Sequence, residues 1–204
     1  MAPISPKKLK RVYEILAERE YARIHAGQAS HTSPEHAFYS VRNSLKHRTD
    51  NRYSNILAYD RTAVSVEGKY LNANVVTDGK GGTWIAAQAP PPRAFDTFFR
   101  ALYSGSAIGK RSDDVLLVQL TGWEERGMLK ANPYISAGVG RTGTFIALSS
   151  LRRPGQVTRS SPLGPLPPEL DQDVVAQTVD TIRECRGMLV QTIEQLELIY
   201  EMYV

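Results

Sequence analysis

Behind Ser5-Pro6, the apolar positions Leu9, Val12, Tyr13 and Leu16 recur three and four residues apart. This spacing predicts an amphipathic helix over KKLKRVYEILAEREYARI, with Ser5 as its N-cap and proline at the first helical position. The Lys/Arg-rich opposite side reads as a solvated face, with a phosphate-binding patch as the alternative. From about residue 50 the period shortens. NILAYDRTAVSV, KYLNANVV, TWIAAQ and DDVLLVQLT are rich in Val, Ile, Tyr and Trp and are punctuated by Asp78, Gly79, Gly81 and Gly82, so they predict strands. PRAFDTFFRALYS, TGTFIALSSLR, DVVAQTVDTIREC and TIEQLELIYEMYV predict helices. Strands and helices in one chain imply an α/β or mixed α+β fold. Residues 152–170 carry five prolines, which fit neither a helix interior nor a central strand, and predict a mobile surface loop. No internal repeat is present.

The composition, 42% hydrophobic and 23% charged over 204 residues, is that of a globular chain and favours one domain over 1–204, with a helical segment at 1–30. The excess of 25 basic over 21 acidic residues is spread without a Lys/Arg block, which suits phosphorylated or acidic ligands but not a nucleic-acid stripe. The single cysteine, Cys185, excludes an internal disulfide framework and a four-cysteine zinc site and fits a reducing compartment. Within IRECRG it reads as a small, semi-buried residue. The first ten residues lack the apolar run of a signal peptide, and no stretch approaches the ~18 apolar residues of a membrane span. The expectation is a monomer in the cytoplasm or nucleus, with neither membrane nor nucleic acid as partner.

The run with the most chemistry is SAGVGRTG, residues 136–143, followed by the helical pattern TFIALSSL. Glycines in a short loop that opens a helix turn successive N–H groups inward, and the helix dipole adds positive charge, so Ser136, Ala137, Gly138, Val139, Gly140, Arg141 and Thr142 form a candidate phosphate cradle. Arg141 offers a planar two-oxygen fork. Read from spacing alone, a glycine-rich turn with a surface arginine stands equally well.

This run occurs together with NRYSNIL (51–57), KYLNANVV (69–76), WIAAQAP (84–90), VQLTGWEERG (118–127) and GMLVQTIEQLELIYE (187–201). In that order the blocks resemble the protein tyrosine phosphatases of the non-receptor type, as a catalytic domain with an internal deletion. The resemblance implies a twisted mixed sheet flanked by helices, no cofactor and no metal, and a phosphotyrosine-containing protein or peptide as partner. It also implies two-step hydrolysis, in which a cysteine thiolate attacks phosphorus, an aspartic acid protonates the leaving tyrosine and a glutamine places water. Tyr53 matches the aromatic that stacks on phosphotyrosine, and Asn55 the residue that holds the substrate backbone. Arg141 matches the phosphate fork, Thr142 the hydroxyl beside the thiolate, and Gln191 and Gln195 the water-placing glutamines. Tyr53 also reads as a half-buried strand aromatic, and Gln195 as the far end of a capping box begun by Thr192. Asn72 and Gln88 read as strand-end hydrogen-bonding residues.

Two departures bear on activity. Ile135 occupies the position of the family's nucleophile and carries no nucleophilic atom, while Ser136 is one residue out of register and has no evident base. No Trp-Pro-Asp occurs anywhere, and only residues 122–135 separate VQLT from the cradle. LKANPY resembles the start of the missing segment, which places a junction between Tyr134 and Ser136 and removes part of the central sheet. Three readings follow. They are a working phosphatase, a phosphotyrosine-binding pseudophosphatase, and a truncated isoform or gene-model fragment without autonomous activity.

Overall fold

The computed structural model describes residues 4–29, 33–98, 137–155 and 161–203. Its first helix, α1 (Pro6–Gln28), starts where the capping signal places it, with the Ser5 side chain accepting from the Lys8 amide at 3.3 Å and proline in the first turn. Leu9, Val12, Ile15 and Leu16 are buried along one stripe, and Tyr13 lies half-buried beside them. Two short helices follow, α2 (Pro34–Phe38) and α3 (Arg42–Lys46).

NILAYDRTAVSV is strand only at its end. Residues 56–59 are extended without a ladder, a 3-10 turn covers Asp60–Thr62, and β1 is Ala63–Val66. Side chains stand in for the missing ladder partners. Asn72 donates to Ile56 O at 2.7 Å, Asn74 to Tyr59 O at 2.9 Å, and the Ser44 hydroxyl bridges the amide and carbonyl of Ala58. These bonds pair the carbonyls of Ile56, Ala58 and Tyr59 and the amide of Ala58 without a neighbouring strand.

β2 (Lys69–Thr77) lies between β1 and β3 (Thr83–Ala87) in an antiparallel sheet of order β1-β2-β3. The register runs from Ala73 opposite Ala87 to Thr77 opposite Thr83. Glu67 and Gly68, both at positive φ, make the tight turn from β1 to β2. Asp78 organises the next turn by accepting from the amides of Lys80 and Gly82 at 2.8 Å each. The alternation of β2 is functional. Leu71, Ala73 and Val75 face a small cluster with Val64, Ile85 and Phe98, while Val76 joins the main core on the other face, where Asn72 and Asn74 also lie.

Residues 95–98 begin a helical stretch, as far as PRAFDTFFRALYS falls within the described residues. DDVLLVQLT, Ile135 and Ser136 lie outside them. Three further helices match their sequence patterns: α4 (Gly140–Leu151), α5 (Val174–Arg183, capped by Asp173) and α6 (Ile193–Met202). They enclose the main core with α1, burying Ile146, Ala147, Val175, Val179, Ile182, Leu189, Leu196 and Ile199. Leu16 is 1% exposed within this core, so truncating it to alanine costs about 2–5 kcal/mol. Cys185 is wholly buried rather than semi-buried, because it sits where α5 meets β2, its thiol 3.7 Å from Thr77 O.

A buried ionic network ties α1 to α5. Arg23 reaches Asp180 and Glu184 at 2.6 Å each, Arg19 makes a two-pronged bond to Asp180 at 2.9 Å, and Tyr39 donates to Glu184 at 2.6 Å. Arg19 also donates to the carbonyls of Leu163, Gly164 and Pro165. The proline-rich stretch is thereby tied to α1 at residues 163–165 and closes in a 3-10 turn at Pro168–Leu170.

Candidate functional site

The described part of the cradle starts at Ala137. Gly138 takes φ +69, and a Cβ there would stand 2.0 Å from Ala87 O, so the loop rests directly on the end of β3. Val139 caps α4 without a side-chain bond, and the first turn of that helix holds no acidic residue. Its carbonyl accepts from the Gly143 amide at 2.9 Å and the Val190 amide at 3.1 Å, so the loop is fastened to its own helix and to the segment before α6. Arg141 and Thr142, both half-buried, occupy the first turn of α4.

The two glutamines meet the loop at Gly140. A Cβ on that glycine would lie 2.7 Å from Gln195 Nε2 and 3.4 Å from Gln191 Oε1. Gln195 also completes a capping box, in which Thr192 accepts from the Gln195 amide while Gln195 Oε1 accepts from the amides of Thr192 and Gln191. The capping alternative is therefore present, and it does not compete with the placement beside the cradle. One end of the Gln195 amide holds the helix start while the other faces Gly140.

Backbone strain sets the approach of this segment. Met188 and Val190 both adopt φ +62, a left-handed conformation disfavoured for any residue with a Cβ and most for the β-branched Val190. Arg183 holds it there. Its guanidinium donates to Leu189 O at 2.7 Å, Val190 O at 2.6 Å and Leu16 O at 2.8 Å. Burial lowers the Arg183 pKa below that of a free guanidinium. Tyr13 donates to Gln191 O at 3.0 Å and Glu20 accepts from the Met188 amide at 2.9 Å, so α1 touches the glutamine segment at two points.

Tyr53 lies on the opposite side of the loop, half-buried, with its amide donating to Gln88 Oε1 at 3.4 Å. The Gln88 amide donates to Asn72 O and lies against Gly138, so the Tyr53 turn and the cradle share the end of β3. Just before Tyr53 in sequence, Asn51 accepts from Tyr70 and Asn72, and Arg52 donates to Ala89 O and Pro90 O. Asn55 is exposed and lines a shallow crevice with Ile24, Tyr59 and Met188.

Comparison with known proteins settles the lineage. A family model described as protein-tyrosine phosphatase matches residues 47–136 and 134–204. The chain belongs to the protein-tyrosine phosphatase family. It is 36% identical over 126 residues to the Tyrosine-protein phosphatase Lar-like of Caenorhabditis elegans, covering 57% of this chain and 5% of that protein. It is 33% identical over 97 residues to Tyrosine-protein phosphatase 3 of Schizosaccharomyces pombe, covering 45% of this chain and 30% of that one. The chain thus spans under a third of the length of either relative. Among solved structures, the catalytic domain of human protein tyrosine phosphatase non-receptor type 18 aligns with TM-score 0.61 at 18% identity, over 97% of this chain and 95% of that one. The Trypanosoma cruzi phosphatase TcPTP1 aligns with TM-score 0.56 at 22% identity, over 95% of this chain and 90% of that one. PTPN18 with a HER2 phosphopeptide aligns with TM-score 0.58 at 18% identity, over 96% of this chain and 93% of that one. These structures share the fold, a mixture of helices around a sheet of which the described residues carry three strands.

Within this phosphatase frame, two residues escaped the sequence reading. Arg183 and Arg186 are fully buried, and both organise loops at the site. Their signal was two arginines in IRECRG, immediately before the glutamine block, in a stretch otherwise patterned for the core. Arg186 donates to Gly138 O, Ala137 O, Asn74 Oδ1 and Asn72 Oδ1. Asn72 and Gln88, expected at strand ends, both form hydrogen bonds, but Asn72 lies within β2, from which it reaches this arginine, and Gln88 lies just past the end of β3.

Proposed function

We propose that this chain is a catalytically impaired tyrosine-phosphatase domain whose cradle holds a phosphotyrosine-bearing peptide without hydrolysing it. The observation carrying this reading is the loop at 137–143. It enters α4 with no side-chain cap and no acidic residue in the first turn, Arg141 on that turn and two glutamines against Gly140. An uncapped helix start with an adjacent guanidinium suits a phosphate group, and recognition of this kind needs donors and a dipole but no nucleophile. The phosphopeptide bound to PTPN18 supports the ligand class. Impairment follows from the sequence, since Ile135 stands at the nucleophile position and no Trp-Pro-Asp is present. A location in cytoplasm or nucleus is supported by the lone cysteine.

Two assays on the purified chain test this. Aryl phosphate turnover stays at background, and calorimetric titration with phosphotyrosine gives millimolar affinity, about −4 kcal/mol. Arg141→Ala removes the binding. Equal binding by both proteins would overturn the reading. A second reading, a truncated form of an active enzyme, is favoured by the family match falling into two stretches that meet at residues 134–136. An in-frame genomic stretch between the codons for Tyr134 and Ser136, encoding Trp-Pro-Asp and ending in His-Cys, would establish it.

A further inference from the structure

An anion cradle made of amides carries a requirement on its outer side. When the N–H groups of successive peptides face inward, their carbonyls face the protein interior and each needs a donor there. Val139 O has two amides, from Gly143 and Val190. Arg186 reaches both carbonyls before it, Gly138 O at 3.1 Å and Ala137 O at 3.4 Å. Its other bonds go to Asn74 Oδ1 at 2.8 Å and Asn72 Oδ1 at 2.9 Å. All four acceptors are neutral.

The other buried arginines differ. Arg23 pairs with Asp180 and Glu184, and Arg183 has Glu20 at 3.8 Å, whereas Arg186 has no carboxylate in ion-pair range among the described residues. Burial lowers its pKa to about 10, which leaves it charged at neutral pH. A buried cation solvated only by amide dipoles is costly to the empty protein, and a negative ligand nearby relieves that cost.

We propose that Arg186 is a positioning residue for anion binding, fixing the carbonyls of Ala137 and Gly138 outward and supplying, from behind the loop, a buried positive charge that a dianion in the cradle neutralises. This rests on the anion-holding reading of the cradle. Arg141 meets the ligand from the mouth and Arg186 acts through the backbone, so the two arginines contribute separately.

The experiment compares tungstate and perrhenate, tetrahedral oxyanions alike in shape that carry two charges and one, by calorimetric titration at neutral pH. Four proteins are used, the unaltered chain, Arg141→Ala, Arg186→Lys and the near-isosteric Asn74→Asp. The last sets a carboxylate on the Arg186 guanidinium and leaves its bonds to the loop, while giving up the Asn74 amide's bond to Tyr59 O. We expect the unaltered chain to prefer tungstate and Asn74→Asp to lower that preference about ten-fold, with amide NMR shifts of Gly138 and Gly140 retained. Arg186→Lys should keep the preference but weaken both anions, since an ammonium cannot span both carbonyls and both asparagines. An unchanged tungstate-to-perrhenate ratio in Asn74→Asp, with tungstate binding lost in Arg141→Ala, would overturn the role of Arg186 and leave the cradle standing. Absence of tungstate binding by the unaltered chain would overturn both.

Discussion

Replacing Gly138 by alanine probes the contact between the cradle and β3. The new Cβ would stand 2.0 Å from Ala87 O, 2.4 Å from Ala87 C and 2.8 Å from Gln88 N, all backbone atoms that no change of rotamer can move aside. Loop and strand must part by roughly 1 Å to reach ordinary contact, and overpacking of this kind costs about 1–3 kcal/mol. The left-handed backbone at φ +69 adds about 1–2 kcal/mol for any residue with a Cβ. The sum is about 2–5 kcal/mol, a large part of the stability of a small domain. Gly68 supplies the control, since it has φ +74 but nothing within 4 Å of its would-be Cβ, so Gly68→Ala carries the backbone cost without the clash. Urea unfolding of both variants, with unchanged m values, should place Gly138→Ala about 1–3 kcal/mol below Gly68→Ala. Phosphotyrosine affinity should fall in the first variant alone. Agreement of the two variants within about 0.5 kcal/mol would refute the seating of the loop on β3.

Burial alone would raise the Asp180 pKa, but the Arg23 and Arg19 guanidiniums outweigh it and hold the carboxyl below its ordinary 3.8. Its contribution to stability is therefore complete above about pH 4 and is lost as pH falls through the depressed value, so Asp180→Asn should destabilise the protein at pH 7 and flatten the acid limb of a melting-temperature profile. Thr192→Ala removes one half of the capping box and should cost about 1 kcal/mol in urea unfolding; no loss would mean that Gln195 holds the start of α6 alone. Ile135→Cys should not restore turnover of a phosphopeptide, because the missing acid leaves a deficit of about 10²- to 10⁴-fold, and family-like single-turnover rates would reveal an acid already in place.

Legibility in the sequence followed the range of the forces involved. The helices read well because α1, α4, α5 and α6 each pair a local cap or loop signal with a 3.6-residue apolar stripe that one common core buries. The cradle read well for a similar reason, since its glycines, its arginine and the helix behind it are contiguous in the chain. NILAYDRTAVSV was misjudged because its alternation is real but its backbone partners are side chains of Ser44, Asn72 and Asn74, 14 to 16 residues away. The anchor of the proline-rich stretch was not legible because it is Arg19, more than 140 residues earlier. Arg183 and Arg186 were missed for the same cause. Their one local signal, two arginines in a stretch otherwise patterned for the core, does not say which carbonyls they cap.

The attachment of α1 affects where this folding unit can be cut. Family similarity starts at residue 47, well after α1 ends. A fragment trimmed to that limit would lose Leu9, Val12, Ile15 and Leu16 from the main core, leave Asp180 and Glu184 buried without Arg19 and Arg23, and free the Gln191 carbonyl from Tyr13. Two uncompensated carboxylates behind an opened apolar wall would make such a fragment aggregate, so expression boundaries, protease-resistant cores and deletion series should respect Ser5 rather than the first recognisable motif.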